Sequence, residues 1–171
     1  NCDWSSDVCS SDLMALLDEV GACFKALTKS QDQRLVSMAN GQALLTKSET
    51  KYLNLKIRLC ELMEGVIFNT SRIEYLSEQL FTLNRHVTQV DGRLMRMAND
   101  CGVPRAQFKD AWIGRELCVQ WPGTGFNTKA WKKMLDEHGS EIDELRDKIK
   151  LVVEDAGMSV PEFREVVQTV Q

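Results

Sequence analysis

SRIEYLSEQLFTLNRHVTQVDGRLMRMANDC, residues 71–101, places Ile73, Leu76, Leu80, Leu83, Val87, Val90, Leu94, Met97 and Cys101 at alternating spacings of three and four. Those spacings keep apolar side chains on one stripe of an α-helix, and nine consecutive positions predict a long helix laid along a second one. Ser71, followed three residues later by Glu74, has the pattern of a capping box, in which each side chain accepts from the other residue's backbone N–H. Gly102 with Pro104 beyond it supplies the matching stop: glycine takes the left-handed conformation that closes a helix, and proline cannot continue it.

The helical pattern continues on both sides. A short helix over 105–113 leads into Gln120-Trp121-Pro122-Gly123-Thr124-Gly125-Phe126, where proline and glycine prevent regular structure. A second long helix is predicted from Thr128 to Asp155, with Trp131, Leu135, His138, Ile142, Leu145, Ile149 and Val152 as its seam and Gly139 as a point of bending. Ser159, Pro161 and Glu162 open a last helix whose apolar face is Phe163, Val166, Val167 and Val170. Before residue 71, one helix is predicted from Asp18 to Ala39, closed by Asn40-Gly41. Another runs from Thr46, with Glu49 completing a capping box, to Phe68-Asn69. Strict alternation appears only around Cys118-Val119-Gln120-Trp121. The expected fold is therefore all-α, a bundle of long antiparallel helices with coiled-coil-like seams.

Composition bounds the class. In 171 residues, 43% hydrophobic and 27% charged, 21 basic side chains face 25 acidic ones for a net charge of −4. That is the make-up of one ordinary globular domain, not of a disordered chain, and no apolar run approaches the roughly 18 residues a membrane span needs. The first thirteen residues, NCDWSSDVCSSDL, have neither the basic start nor the apolar centre of a secretory signal. Asp3 to Leu13 looks like a translated sequencing adapter, the alternative being a native Ser/Asp-rich leader. Setting the leader aside removes Asp3, Asp7 and Asp12 and no base, so 21 basic residues face 22 acidic ones and the net charge becomes −1. Cys23, Cys60, Cys101 and Cys118 then remain, scattered through helical stretches as suits reduced thiols in a cytoplasmic protein. The last helix stops at Gln171 with no terminal signal, so 14–171 is expected to be a fragment of a larger multidomain protein, truncated at both ends.

No catalytic constellation stands out. His86 and His138 lie on different helices, and neither has a Cys, His or Asp partner at metal spacing, so no zinc or other metal site is expected. Cys101 and Cys118 have no neighbouring base to activate a thiolate and read as structural thiols. Gly123-Thr124-Gly125 lacks the Gly-Lys-Ser/Thr ending of a phosphate loop and reads as a turn. No enzyme activity, cofactor or small-molecule substrate is expected. Arg85, Arg93, Arg96, Arg105 and Lys109 form a basic stripe, and Lys129, Lys132 and Lys133 a second cluster. Two readings stand for them: contact with a nucleic-acid backbone or protein partner, or ordinary solvation, which a net charge near zero favours. Trp112, Trp121 and Trp131 read as a small local core, with one of them as a partner-binding anchor as the second reading.

Several segments resemble a known family: Ser71-Arg72-Ile73-Glu74-Tyr75-Leu76, Leu83-Asn84-Arg85, Asp91-Gly92-Arg93-Leu94, Phe108 to Glu116 with Trp112-Ile113-Gly114-Arg115-Glu116, and Phe163-Arg164-Glu165-Val166-Val167-Gln168-Thr169-Val170-Gln171. Together, and best after Ser71, they are similar to the variable helical insert of principal sigma factors of the sigma-70 family. The resemblance implies a parent protein that binds core RNA polymerase, directs it to promoter DNA and helps open the duplex. It puts the DNA-reading parts, an aromatic-rich helix for melted DNA and a helix-turn-helix, in segments outside this sequence. The insert itself is implied to be structural and modulatory, to lie near the polymerase clamp and to be monomeric, without membrane attachment. Arg85, Arg93, Arg96, Arg105, Lys109, Lys132 and Lys133 are its candidate contacts with polymerase or nucleic acid. The alternative is a stand-alone coiled-coil scaffold, which would self-associate through the same seams.

Overall fold

The structure, a computed structural model, describes residues 6–64 and 66–171, with side chains from Asp12 onward. Its helices are α1 (Ser6–Ala39), α2 (Thr46–Met63), α3 (Thr70–Asp100), α4 (Arg105–Trp112), α5 (Lys129–Ala156) and α6 (Val160–Val170). Among the described residues there is no strand, so the chain is all-α, and no helix is long and apolar enough to cross a membrane. α1 begins at Ser6 and not at Asp18, because nothing between the two positions breaks a helix. Residues 1–5 of the expected leader lie outside the described residues. The chain divides into two compact units, one with 1–34 and 44–68, the other with 35–43 and 69–171.

The first unit is held by polar contacts. Arg34 of α1 is buried, its guanidinium 3.9 Å above the ring of Tyr52 in α2. Its Nε and Nη2 donate to the two carboxylate oxygens of Glu49 at 2.5 and 3.0 Å, and Nη1 donates to Gln31. Glu49 therefore does not complete a capping box with Thr46: Leu45 precedes the helix with no side-chain cap, and the carboxylate goes to the stronger, charge-assisted partner. Further along, Arg58 pairs with Glu19, and the Cys23 thiol faces the Leu55 carbonyl at 3.6 Å. Phe24, Leu53 and Ile57 stay exposed. α2 ends at Met63, short of the expected Phe68-Asn69.

The second unit has the apolar core. Val87, Val90, Leu94 and Met97 of α3, with Cys101 capping its end, meet Trp131, Met134, Ile142, Leu145, Ile149, Val152 and Val153 of α5. The pair is antiparallel: Cys101 faces Glu137, Arg93 faces Glu141, and Gln79 shares a groove with Asp155. The alignment leaves the first turns of α3 beyond the end of α5, so Ile73 and Leu76 are 50% and 62% exposed although the spacing marks them as seam. Asn69, not Ser71, caps α3, its Oδ1 accepting from the Ser71 backbone at 2.9 Å. Gly157 closes α5 at φ 63°, a conformation that glycine adopts without a side-chain clash. The Ser159–Glu162 capping box forms as expected and seats Val160, Phe163 and Val167 of α6 in the core. Trp112, Trp121 and Trp131 are all buried with Phe108 in one aromatic cluster, ring centroids 5.5 to 6.4 Å apart. At no more than 8% exposure they form the local core, the first of the two readings.

Candidate protein and nucleic-acid interface

The basic stripe divides according to its position around α3. Arg85 and Arg96, eleven residues apart, stand about three turns or 16 Å from each other on one side of the helix. Both are exposed and face away from the Val87–Leu94 core stripe, as the helical repeat requires. Arg93 is turned toward α5 and donates from Nε to Glu141 at 2.6 Å. That hydrogen bond holds the Glu141 carboxyl below the usual carboxylate range and makes Arg93 an inter-helix tie.

Arg105 and Lys109 are one turn apart on α4. They line a groove of about 430 Å³ with Gly92 and Met95 of α3, the exposed Ile113 and Arg164 of α6. The structure thus brings two sequence-predicted cations together with a third, Arg164, that the spacing of charges did not single out. Lys132 and Lys133 are exposed on α5, where Lys133 approaches Glu137 at 4.0 Å.

Arg164 is the hub of the groove. Nη2 donates to Asp91 Oδ2 at 2.7 Å and Nη1 to Glu116 Oε1 at 3.2 Å, while Trp112 Nε1 donates to the other Asp91 oxygen at 2.7 Å. One guanidinium therefore ties α6 to α3 and to the segment after α4. Glu116 is only 3% exposed. Burial pushes its carboxyl above the ordinary carboxylate range, against the pull of backbone N–H groups and Arg164. Asp91, Trp112, Glu116 and Arg164 come from three of the segments that carry the family resemblance. No local motif marks the network, because its members are up to 73 residues apart.

The free thiols Cys23, Cys60, Cys101 and Cys118 form no disulfide among themselves, and Cys101, for which the sequence offers no neighbouring base, stands close to Glu137 and His138. What the geometry offers is an outward cationic surface, Arg85, Arg96, Arg105 and Lys109, on a braced helical frame. The family described as the sigma-70 non-essential region matches residues 5–153. Sigma factors are not enzymes: they associate with core RNA polymerase and promoter DNA. With the match running through α3 and most of α5, the chain belongs to the sigma-70 non-essential region family and is a segment of a sigma factor of transcription initiation.

Proposed function

We propose that this segment is the structural and modulatory helical insert of its sigma factor, lying near the polymerase clamp and contacting polymerase or upstream DNA through Arg85, Arg96, Arg105 and Lys109. The observation that carries the proposal is the exposure of these four cations, which hold no ion pair among the described residues, on a chain whose match is to that region. Lys132 is a secondary contact, Lys133 shares its charge with Glu137, and Arg93 is a brace. The segment has no catalytic role, binds no small-molecule substrate, acts in the cytoplasm and is monomeric. Residues 14–171 are native and belong to that insert. Although the family match starts at residue 5, the adapter-like sequence of 1–13 supports a foreign origin, and a chain begun at Met14 is expected to melt at the same temperature.

Charge reversal at Arg85, Arg96, Arg105 and Lys109 together, in the full-length parent, tests the contact. The variant is expected to bind core polymerase about 3- to 10-fold more weakly, mainly through a slower on-rate and with a shallower salt dependence. Affinity, on-rate and salt dependence all equal to those of the parent would refute the contact. Sedimentation of the 171-residue chain checks its monomeric state: concentration-dependent association would favour the scaffold reading.

A further inference from the structure

The core-side end of the α3–α5 pair gathers three groups that are distant or merely adjacent in the sequence. Cys101 Sγ, a Glu137 carboxylate oxygen and a His138 ring nitrogen all lie within 4.8 Å of one another. The thiol is 3.9 Å from Glu137 Oε2. Cys101 is 8% exposed, His138 is half-buried, and Glu137 is open to solvent, which leaves an entry path for an ion. Neither histidine has a Cys, His or Asp partner along its own helix at ligand spacing, and here the sulfur arrives from beyond the end of a different helix.

Tetrahedral zinc binds sulfur at about 2.3 Å and nitrogen or oxygen at about 2.0–2.1 Å, which sets its ligands roughly 3.3–3.7 Å apart. From separations within 4.8 Å, small rotations of Glu137 and His138 close the set around an ion while Cys101 stays on its core-facing position. One thiolate, one imidazole and one carboxylate select zinc or cobalt over magnesium or calcium, which take oxygen alone. Three protein ligands also leave a fourth position for water. We propose that Cys101, Glu137 and His138 form a site for a zinc-class divalent cation that staples the end of α3 to α5.

Binding is a substitution without redox change. The Cys101 S–H bond breaks, a sulfur–metal bond forms, and the proton passes to solvent. Burial chiefly, and then the Glu137 charge, hold the free thiol protonated above the ordinary thiol range, so the ion must displace that proton. Lys133, now 4.0 Å from Glu137, gives up its share of the carboxylate, and Asp100 adds negative charge beside the thiol.

Cobalt(II) alone, titrated into the reduced 171-residue chain, tests the site. The expected result is one saturable equivalent with a thiolate-to-cobalt charge-transfer band and intense visible bands of tetrahedral geometry, displaced by zinc, and a zinc-dependent rise in melting temperature. Losing a partner one shell out already costs about 10–100-fold in affinity. His138→Ala must weaken binding at least that much and abolish the melting shift, and Glu137→Gln, at an exposed position, gives the same readout if His138→Ala does not fold. A wild-type chain with no charge-transfer band at stoichiometric cobalt overturns the proposal. So does full binding in either folded variant, which would place the metal on other cysteines.

Discussion

The two units of this chain hold their helices by opposite means. Between α3 and α5 the contact is a continuous apolar stripe finished by an aromatic cluster, whereas α1 and α2 meet through polar contacts, chiefly the buried Arg34 guanidinium on Glu49 and the Tyr52 ring, with Arg58–Glu19 and Cys23–Leu55 further along. Apolar burial adds up over many contacts and tolerates small displacements. A charge-assisted bidentate pair concentrates the same task in two side chains and fails when either is lost. The comparison assigns the scaffold role to α3–α6, where the proposed contact cations also reside, and leaves α1–α2 as the more easily opened part.

The largest expected effect is in the core. Trp131→Ala removes a fully buried ring contacting Phe108, Trp121 and Phe126 and is expected to cost about 3–5 kcal/mol in denaturant melts. A cost similar to that of surface substitutions would show that the aromatic cluster is not what holds the second unit. Next comes Arg34→Ala, which strands Glu49 and uncovers Tyr52. It should cost about 1–3 kcal/mol and raise amide exchange in α1 and α2 while leaving α3 and α5 unchanged. Arg34→Lys should not rescue it, since an ammonium cannot reproduce the two-point pairing and the stacking.

The smallest effect is a pH dependence. The Glu116 carboxyl has a folded-state pKa raised by burial, so its proton is held more tightly in the folded chain than in the unfolded one. Its contribution to stability is complete below the ordinary carboxylate range and is lost as pH rises through the raised value. Glu116→Gln should therefore flatten the stability profile over that window while retaining the Arg164–Asp91 bridge. An unchanged slope in melts across that range would mean that Glu116 is not the group responsible.

Much of the second unit was legible in the sequence because its determinants are periodic or local. Val87 to Cys101 and Trp131 to Val152 repeat at helical spacing, and the Ser159–Glu162 box spans one turn. Two of the differences concern helix caps. Glu49 matches a capping box but is taken by Arg34, fifteen residues away, and Asn69 displaces Ser71 as the cap of α3. The spacing of Ile73 and Leu76 records a helix face correctly and says nothing of where the facing helix ends. At the site, the exposure of Arg85, Arg96, Arg105 and Lys109 follows from their helical phase, but the pairing of Arg93 and the Arg164 hub do not. Contacts 48 to 73 residues apart leave no pattern in one sequence.

Amide hydrogen exchange across the chain, followed against denaturant, tests the central distinction most directly. The account predicts that amides of Val87–Met97 and Ile142–Val152 exchange only through global unfolding, and that those of α2 around Tyr52 open earlier and with a smaller denaturant dependence. Equal protection and equal denaturant dependence in α2, α3 and α5 would contradict it and make the chain a single cooperative unit with one shared source of stability.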